Sequence, residues 1–329
     1  MKPPHLLPLL FLALAACAPD NTMNTLVAHS DLTRGIMHIY GRIFWWTVLL
    51  FIVVQGGLIY TVLRFRERGD EKGEPEQVHG NLRLELAWTI LPVFILMHIA
   101  IPTVSTIFKS QAPAQAGAIK VNATGKQWWF QFQYPDLGVT TANELHVPLG
   151  TQVDVRLQSD NVIHAFWVPQ LAAKRDMMPA RVNHITFAAE KVGEYLGQCA
   201  EYCGDSHALM KFRVYVDTPE DFQSWVERQK APADSVSTEA LAGFQAFQGA
   251  GCVACHSIDG TNAQAVIGPN LTHVGSRETI ASGILENNEA NLKRWIKDPP
   301  SVKPGSKMPN LNLTDEQVQA VSAYLQTLK

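Results

Sequence analysis

The stretch Cys199-Ala-Glu-Tyr-Cys203-Gly-Asp-Ser-His207-Ala-Leu-Met210 gathers two thiols, an imidazole and a thioether within one short loop. These are soft donors, and the combination suits copper. His164 stands upstream, at the end of a strand-like run and just before Ala-Phe-Trp-Val-Pro. A mononuclear electron-transfer copper site takes two His, one Cys and a weak axial Met. Here there is a second Cys, so Cys199 and Cys203 can both bridge a pair of ions. His164 and His207 would each terminate one ion, with Met210 and the Glu201 backbone carbonyl as weak further contacts. A Cys199–Cys203 disulfide and a zinc site are the alternatives, although Met is a poor ligand for zinc.

Around this loop the apolar residues recur with a period of two. Ile119-Val121-Ala123, Val153-Val155-Leu157, Ile185-Phe187-Ala189 and Phe212-Val214-Val216 alternate with their neighbours, as half-buried strands do. Gly138, Gly150 and Gly193, with Pro135 and Pro148, punctuate them. Short strands at close spacing predict a β-sandwich or Greek-key barrel over roughly Ala118 to Asp217.

Toward the N-terminus the pattern becomes that of a membrane anchor. Residues 1–16 carry Lys2, an apolar stretch and small residues at the end, which is a secretory signal in form. Leu14-Ala15-Ala16-Cys17 reads as a lipoprotein box with Cys17 lipidated; ordinary cleavage that leaves Cys17 incidental is the alternative. The apolar runs Ile43–Leu63 and Leu86–Phe108 each exceed the ~20 residues needed to cross a bilayer. Arg64, Arg66, Arg68, Lys72 and Arg83 lie between them, which puts that loop in the cytoplasm and both flanks outside. Glu85, at the cytoplasmic mouth of the second run, is either a solvated flank residue or a group at a proton path.

The C-terminal part is helical. Thr314 and Gln317 form a capping box ahead of the stripe Val318, Val321, Tyr324, Leu325 and Leu328. Cys252-Val-Ala-Cys255-His256 is C-x-x-C-H, the covalent haem c attachment sequence. No βαβ pattern surrounds it to support a thioredoxin-like reading. His256 is placed to ligate iron, and Met308, in Pro304-Gly-Ser-Lys-Met308-Pro309, supplies the second axial ligand that electron transfer calls for. His273 is expected to be a surface or packing residue.

These segments resemble a known family. The metal loop, Asp160-Asn-Val-Ile-His164-Ala-Phe-Trp-Val-Pro169, Gly125-Lys-Gln-Trp128-Trp-Phe-Gln-Phe-Gln-Tyr134 and His79-Gly-Asn-Leu-Arg-Leu-Glu85-Leu-Ala-Trp88-Thr-Ile-Leu-Pro92 are similar to cytochrome c oxidase subunit II. With Gly268-Pro-Asn-Leu271 and Trp295-Ile-Lys-Asp-Pro299, the C-terminal segment resembles class I cytochromes c, and the whole resembles the caa-type subunit II with a fused cytochrome. The resemblance implies a multidomain membrane protein: a two-helix transmembrane hairpin, an all-β cupredoxin Greek-key barrel and an all-α cytochrome c domain. It implies a binuclear CuA centre on His164, Cys199, Glu201, Cys203, His207 and Met210, and covalent haem c on Cys252 and Cys255 with His256 and Met308 as axial ligands. It further implies electron entrance at Trp128, a magnesium ion at Glu201 on the subunit I interface and a proton entrance at Glu85. Trp129 and Phe130 stand where the family usually has Tyr and Trp. Lys174-Arg-Asp176-Met-Met-Pro179-Ala-Arg181 matches the family's turn facing subunit I, with Ala180 where glycine is usual.

The expected organisation is a signal peptide over 1–16, an external segment over 17–42, spans over 43–63 and 86–108, and a cytoplasmic loop over 64–85. A copper domain over 112–217, a helix and linker over 218–239 and a cytochrome domain over 240–329 follow. The implied role is to pass electrons from a cytochrome c or other external donor through haem c and CuA to subunit I. Oxygen reduction and proton pumping would occur in that partner, with subunit III and membrane lipid as further partners. The expected location is the bacterial inner membrane, multi-pass, with both redox domains on the periplasmic or extracellular side. A formal net charge of −3 gives no field for nucleic acid. A nitric oxide reductase using the same electron-input module is an alternative that only the partner's active site distinguishes. A copper-delivery lipoprotein is disfavoured by the haem site and by a complete ligand set.

Overall fold

The computed structural model describes residues 22–66, 77, 79–233 and 238–329. The expected leader, Cys17, Arg68, Lys72 and the centre of the linker lie outside the described residues. The chain divides into two units, residues 34–112 and the remainder.

The first unit carries two long helices. Helix α1 runs Asp31–Arg64 and α2 runs Leu82–Ser110. Both are long and apolar enough to span a membrane. Their apolar side chains face outward: Phe51, Ile52, Leu58, Phe94 and Ile101 are all more than half exposed. A surface of that kind needs lipid or other spans to cover it, and the chain is a membrane protein. Helix α1 begins well before the apolar run at Ile43, because its start is set by capping. The Ser30 hydroxyl accepts the Thr33 amide at 3.1 Å, and Thr33 Oγ1 accepts the Ser30 amide at 3.2 Å. Helix α2 likewise starts at its cap, where Asn81 Oδ1 accepts the amides of Arg83 and Leu84.

In the second unit, ten strands form two five-stranded sheets. One has the order β3 (Val139–Ala142), β2 (Trp129–Tyr134), β1 (Ile119–Lys126), β5 (Gln152–Ser159), β8 (Asn183–Ala188). The other runs β4 (Glu144–Pro148), β10 (Lys211–Asp217), β9 (Gly193–Cys199), β6 (His164–Val168), β7 (Ala172–Met177). The β1–β5 and β4–β10 pairs are parallel and the others antiparallel, the mixed pattern of a cupredoxin-like sandwich. All four alternating runs read from the sequence lie on strands, with Ala189 one residue past the end of β8, and their apolar faces turn inward. Phe130, Phe132, Phe166 and Phe212 are fully buried between the sheets, and Phe212 lies 4.6 Å from Phe130 between ring centres. Helix α3 (Pro219–Lys230) closes one end, with Trp225 stacked 4.3 Å from His146.

The turn after β7 places Ala180 at φ 55°, in the left-handed region where a side chain is strained. That conformation accounts for the glycine usual at this position. Ala180→Gly is expected to raise stability by about 0.5–1 kcal/mol, the relief of strain less the entropy glycine gives the unfolded chain. Denaturant unfolding of the chain checks this; a loss of stability would contradict it.

The C-terminal part packs α4 (Thr238–Gly249), α5 (Glu289–Lys297) and α6 (Asp315–Thr327) around a small core of its own. Phe244 and Phe247 of α4 meet Tyr324 of α6 at 5.6 and 6.1 Å. The capping box at Thr314 is formed as expected. A two-residue ribbon, β11 (Thr279–Ile280) with β12 (Leu285–Glu286), and a β-bridge between Ser257 and Gln264 depart from an all-helical domain.

Candidate metal and haem sites

Strand β9 ends at Cys199, and the following loop returns to the sandwich at Met210, one residue before β10. The Cys199 amide donates to the Met210 carbonyl at 2.9 Å, which closes the loop at its base. This geometry turns four side chains inward. Cys199 Sγ lies 3.8 Å from Cys203 Sγ and 3.8 Å from His164 Nδ1. Cys203 Sγ lies 3.5 Å from His207 Nδ1 and 3.9 Å from Met210 Sδ. The Glu201 carbonyl oxygen is 3.2 Å from Cys199 Sγ. Among the described residues, His164, Cys199 and Cys203 are the one His, Cys or carboxylate group gathered within ligand reach.

The sulfurs are too far apart for a disulfide and both are free thiols. Their separation is shorter than two ~2.3 Å metal–thiolate bonds, so one ion can touch both. The two imidazoles sit beside different sulfurs, with Met210 on the Cys203 side. A thiolate pair with one imidazole at each end and a thioether fits a copper pair better than it fits zinc. The thiols compete for a proton. The hydrogen bond from Cys203 pulls Cys199 far below the ordinary thiol range, and the same bond, with burial, pushes Cys203 up. His164 is fully buried, and Asn161 Oδ1 lies 3.0 Å from its Nε2. An amide oxygen only accepts, so Nε2 carries the hydrogen and Nδ1 is left to bind metal. Asn161 was not singled out from the sequence, although it lies one turn of chain before His164 in the motif.

Trp128 is 8% exposed and adjoins this loop. Its indole N–H donates to the Cys203 carbonyl at 3.0 Å, and Gln127 Nε2 donates to the same oxygen at 2.8 Å. Gly204, at φ 113°, makes that approach possible, since a Cβ there would meet the indole at 3.1 Å. Trp129 is half-buried with the Lys126 ammonium 5.3 Å from its ring, and Phe130 is core. Glu201 turns its carboxylate to Lys174 at 3.1 Å.

In the C-terminal domain Cys252, Cys255, His256 and Met308 line one cavity of about 550 Å³, a volume in the range of cofactor pockets. Its walls are largely apolar, with Leu292, Trp295, Val321 and Leu325 among them. His256 Nδ1 is 2.8 Å from the Pro269 carbonyl, so Nδ1 donates and Nε2 is free for iron. Burial lowers the His256 pKa, which keeps the ring neutral as a ligand must be. A Cβ at Gly268 would come within 2.6 Å of the imidazole, so the chain passes the ring only as glycine. Arg277, which belongs to no motif, lines the same cavity with a buried Nε that has no partner, while its other arm donates to the Asn270 carbonyl at 2.7 Å. Two thiols, an imidazole, a thioether and a guanidinium with a free Nε around an apolar cavity fit an acidic haem. His273 is buried and makes no hydrogen bond through either ring nitrogen, so it is a packing residue rather than a surface one.

Glu85 lies in the first turn of α2 and its Oε1 accepts the Asn81 amide at 3.2 Å. It thus completes that helix's cap.

A membrane-anchored redox protein is the class these features define: an apolar hairpin, a soft-metal loop on a cupredoxin-like sandwich and a haem-binding domain. Family models match the chain as "Cytochrome C oxidase subunit II, transmembrane domain" over residues 19–106, "Cytochrome C oxidase subunit II, periplasmic domain" over 138–216 and "Cytochrome c" over 240–329. A relative from Alkalihalophilus pseudofirmus, cytochrome c oxidase subunit 2, is 38% identical over 289 residues, covering 85% of this chain and 83% of its own. Proteins of the same name from Bacillus sp. PS3 and Bacillus subtilis are 38% and 35% identical, covering 80% and 82% of this chain and 79% and 82% of their own. The chain belongs to the cytochrome c oxidase subunit II family, in the form that carries a C-terminal cytochrome c domain. It is an oxidoreductase subunit with a general role in electron transfer.

Proposed function

We propose that this chain is the electron-input subunit of a bacterial haem–copper oxidase, taking electrons from a cytochrome c-type donor and delivering them to subunit I. The observation that carries this reading is the convergence of both candidate sites on Trp128. That residue lines the cavity holding Cys252, Cys255, His256 and Met308, and its indole is bonded to the backbone of Cys203. Bound there, haem c and a binuclear CuA centre supply reversible one-electron storage. The protein's part is to hold and dry them. His164, Cys199, Cys203 and His207 would hold the copper pair, with Met210 and the Glu201 carbonyl as weak further donors, and His256 and Met308 would hold the haem iron. Burial of His164, Cys199, Cys203 and Met210 keeps solvent from rearranging around a changing charge.

The hairpin anchors the subunit in the inner membrane beside subunits I and III, with both redox domains on the outer side and Cys17 as a lipidated N-terminus. Subunit I carries out oxygen reduction and proton pumping. Glu201, held by Lys174, offers a carboxylate for magnesium at that interface, and Glu85 stands at a proton entrance.

Rapid mixing of the assembled oxidase with reduced cytochrome c tests the order of events. The haem band should be reduced first and the copper band after it. In a Cys252→Ala/Cys255→Ala variant, copper reduction should slow by at least about tenfold, within the one to three decades by which encounter rates vary between related complexes. Direct reduction of copper at an unchanged rate would contradict the proposed route.

A further inference from the structure

The cytochrome domain meets the copper domain through buried polar contacts at the wall of the haem cavity. Lys303 is 4% exposed, and its ammonium donates to the Trp128 carbonyl at 2.5 Å and to Ser282 Oγ at 2.7 Å. The Ser282 hydroxyl donates to the same Trp128 carbonyl at 2.7 Å. Trp128 is therefore gripped at both ends, by the copper loop through its indole and by the cytochrome domain through its carbonyl.

The segment that presents Ser282 is itself unusual. Ala281, Ser282 and Gly283 all have positive φ, at 54°, 64° and 72°. Successive left-handed residues with side chains are costly and persist where the surroundings hold them. Here they are held across the interface, because the Lys211 amide donates to the Ser282 carbonyl at 3.2 Å and the Thr279 amide donates to Glu144 Oε1 at 3.0 Å. On the other flank of Lys303, Ser206 Oγ donates to the Pro304 carbonyl and Lys307 Nζ donates to Gln127 Oε1 at 3.0 Å.

Two neutral oxygens are the hydrogen-bond partners of Lys303. Burial pushes the ammonium down to about 7. A methionine of similar length would fill the space without desolvating a charge. The charge is explained by what it binds.

We propose that Lys303 is a positioning residue that pins the cytochrome c domain to the Trp128 carbonyl, fixing the haem and copper sites in one arrangement instead of a swinging one. The proposal rests on the electron-input reading for its purpose, though the pin itself is a property of the chain. It predicts that loss of Lys303 loosens the interface while haem remains attached and both domains stay folded.

The test compares the full-length, haem- and copper-loaded chain with Lys303→Met, Lys303→Arg and Ser282→Ala. Amide hydrogen exchange at Lys211 and Thr279, whose N–H groups are bonded across the interface, reports docking directly. Flash reduction of the haem reports transfer to copper. In Lys303→Met both amides should exchange at least about tenfold faster, and haem-to-copper transfer should slow on the order of tenfold. Lys303→Arg, which keeps a charged donor, should recover most of both, and Ser282→Ala should fall between. Unchanged amide protection in Lys303→Met, or equal loosening in Met and Arg, would overturn the proposal. Should Lys303→Met not fold, wild-type protection in Ser282→Ala would overturn it. Should wild type show no paired-copper signal while the Met variant loosens, the copper reading fails and the pin stands.

Discussion

Replacing Cys203 with serine should abolish the binuclear copper signal and leave the haem untouched. Cys203 Sγ is the atom around which the site closes, within 4 Å of Cys199 Sγ, His207 Nδ1 and Met210 Sδ. A serine hydroxyl is a hard donor that stays protonated near neutral pH, so it cannot replace a bridging thiolate for copper. Even outer-shell partners of a metal are worth about 10–100-fold, and turnover with cytochrome c should fall by more than about 100-fold. EPR of the copper-loaded variant checks this. A surviving signal from one electron shared by two coppers would rule out bridging by Cys203.

Met308→Ala should leave haem covalently attached through Cys252 and Cys255 but remove its sulfur ligand. His256 keeps its orientation, because the Pro269 carbonyl and the glycine at 268 hold the ring independently of Met308. The sulfur-to-iron absorption band should vanish. The reduction potential should fall by on the order of a tenth of a volt or more, since thioether ligation raises it and axial ligands span about 0.8 V. Slower oxidation of the donor follows. An unchanged absorption band and potential would show that Met308 does not ligate the iron.

The parts legible in the sequence are those whose spacing is local. Cys199 to Met210 is one loop, C-x-x-C-H is one turn, and the strand runs show their period over a few residues each. The membrane spans were legible from apolar length, but their helices reach further because Ser30 and Asn81 set the starts. The pairing of β1 with β5 in parallel, and of β4 with β10, leaves no local mark, since it depends on chain crossing the sandwich. For the same reason Lys303, Ser282 and Arg277 stood in no motif: their partners, or the cavity they line, lie far along the chain. Asn161 is the intermediate case. It sits beside His164 in sequence, but only the fold shows its amide oxygen on Nε2. Ala180 shows how the two readings help each other, because its φ explains why glycine is usual there and marks the alanine as strained.

The central claim is that one chain holds a haem and a copper pair at sites that share Trp128. EPR combined with optical spectroscopy on the full-length chain, loaded with copper and haem, tests it most directly. The account predicts hyperfine splitting from one electron delocalised over two coppers, beside a low-spin haem with histidine–methionine ligation. A mononuclear copper spectrum, or no copper signal with both thiols oxidised to a disulfide, would contradict it.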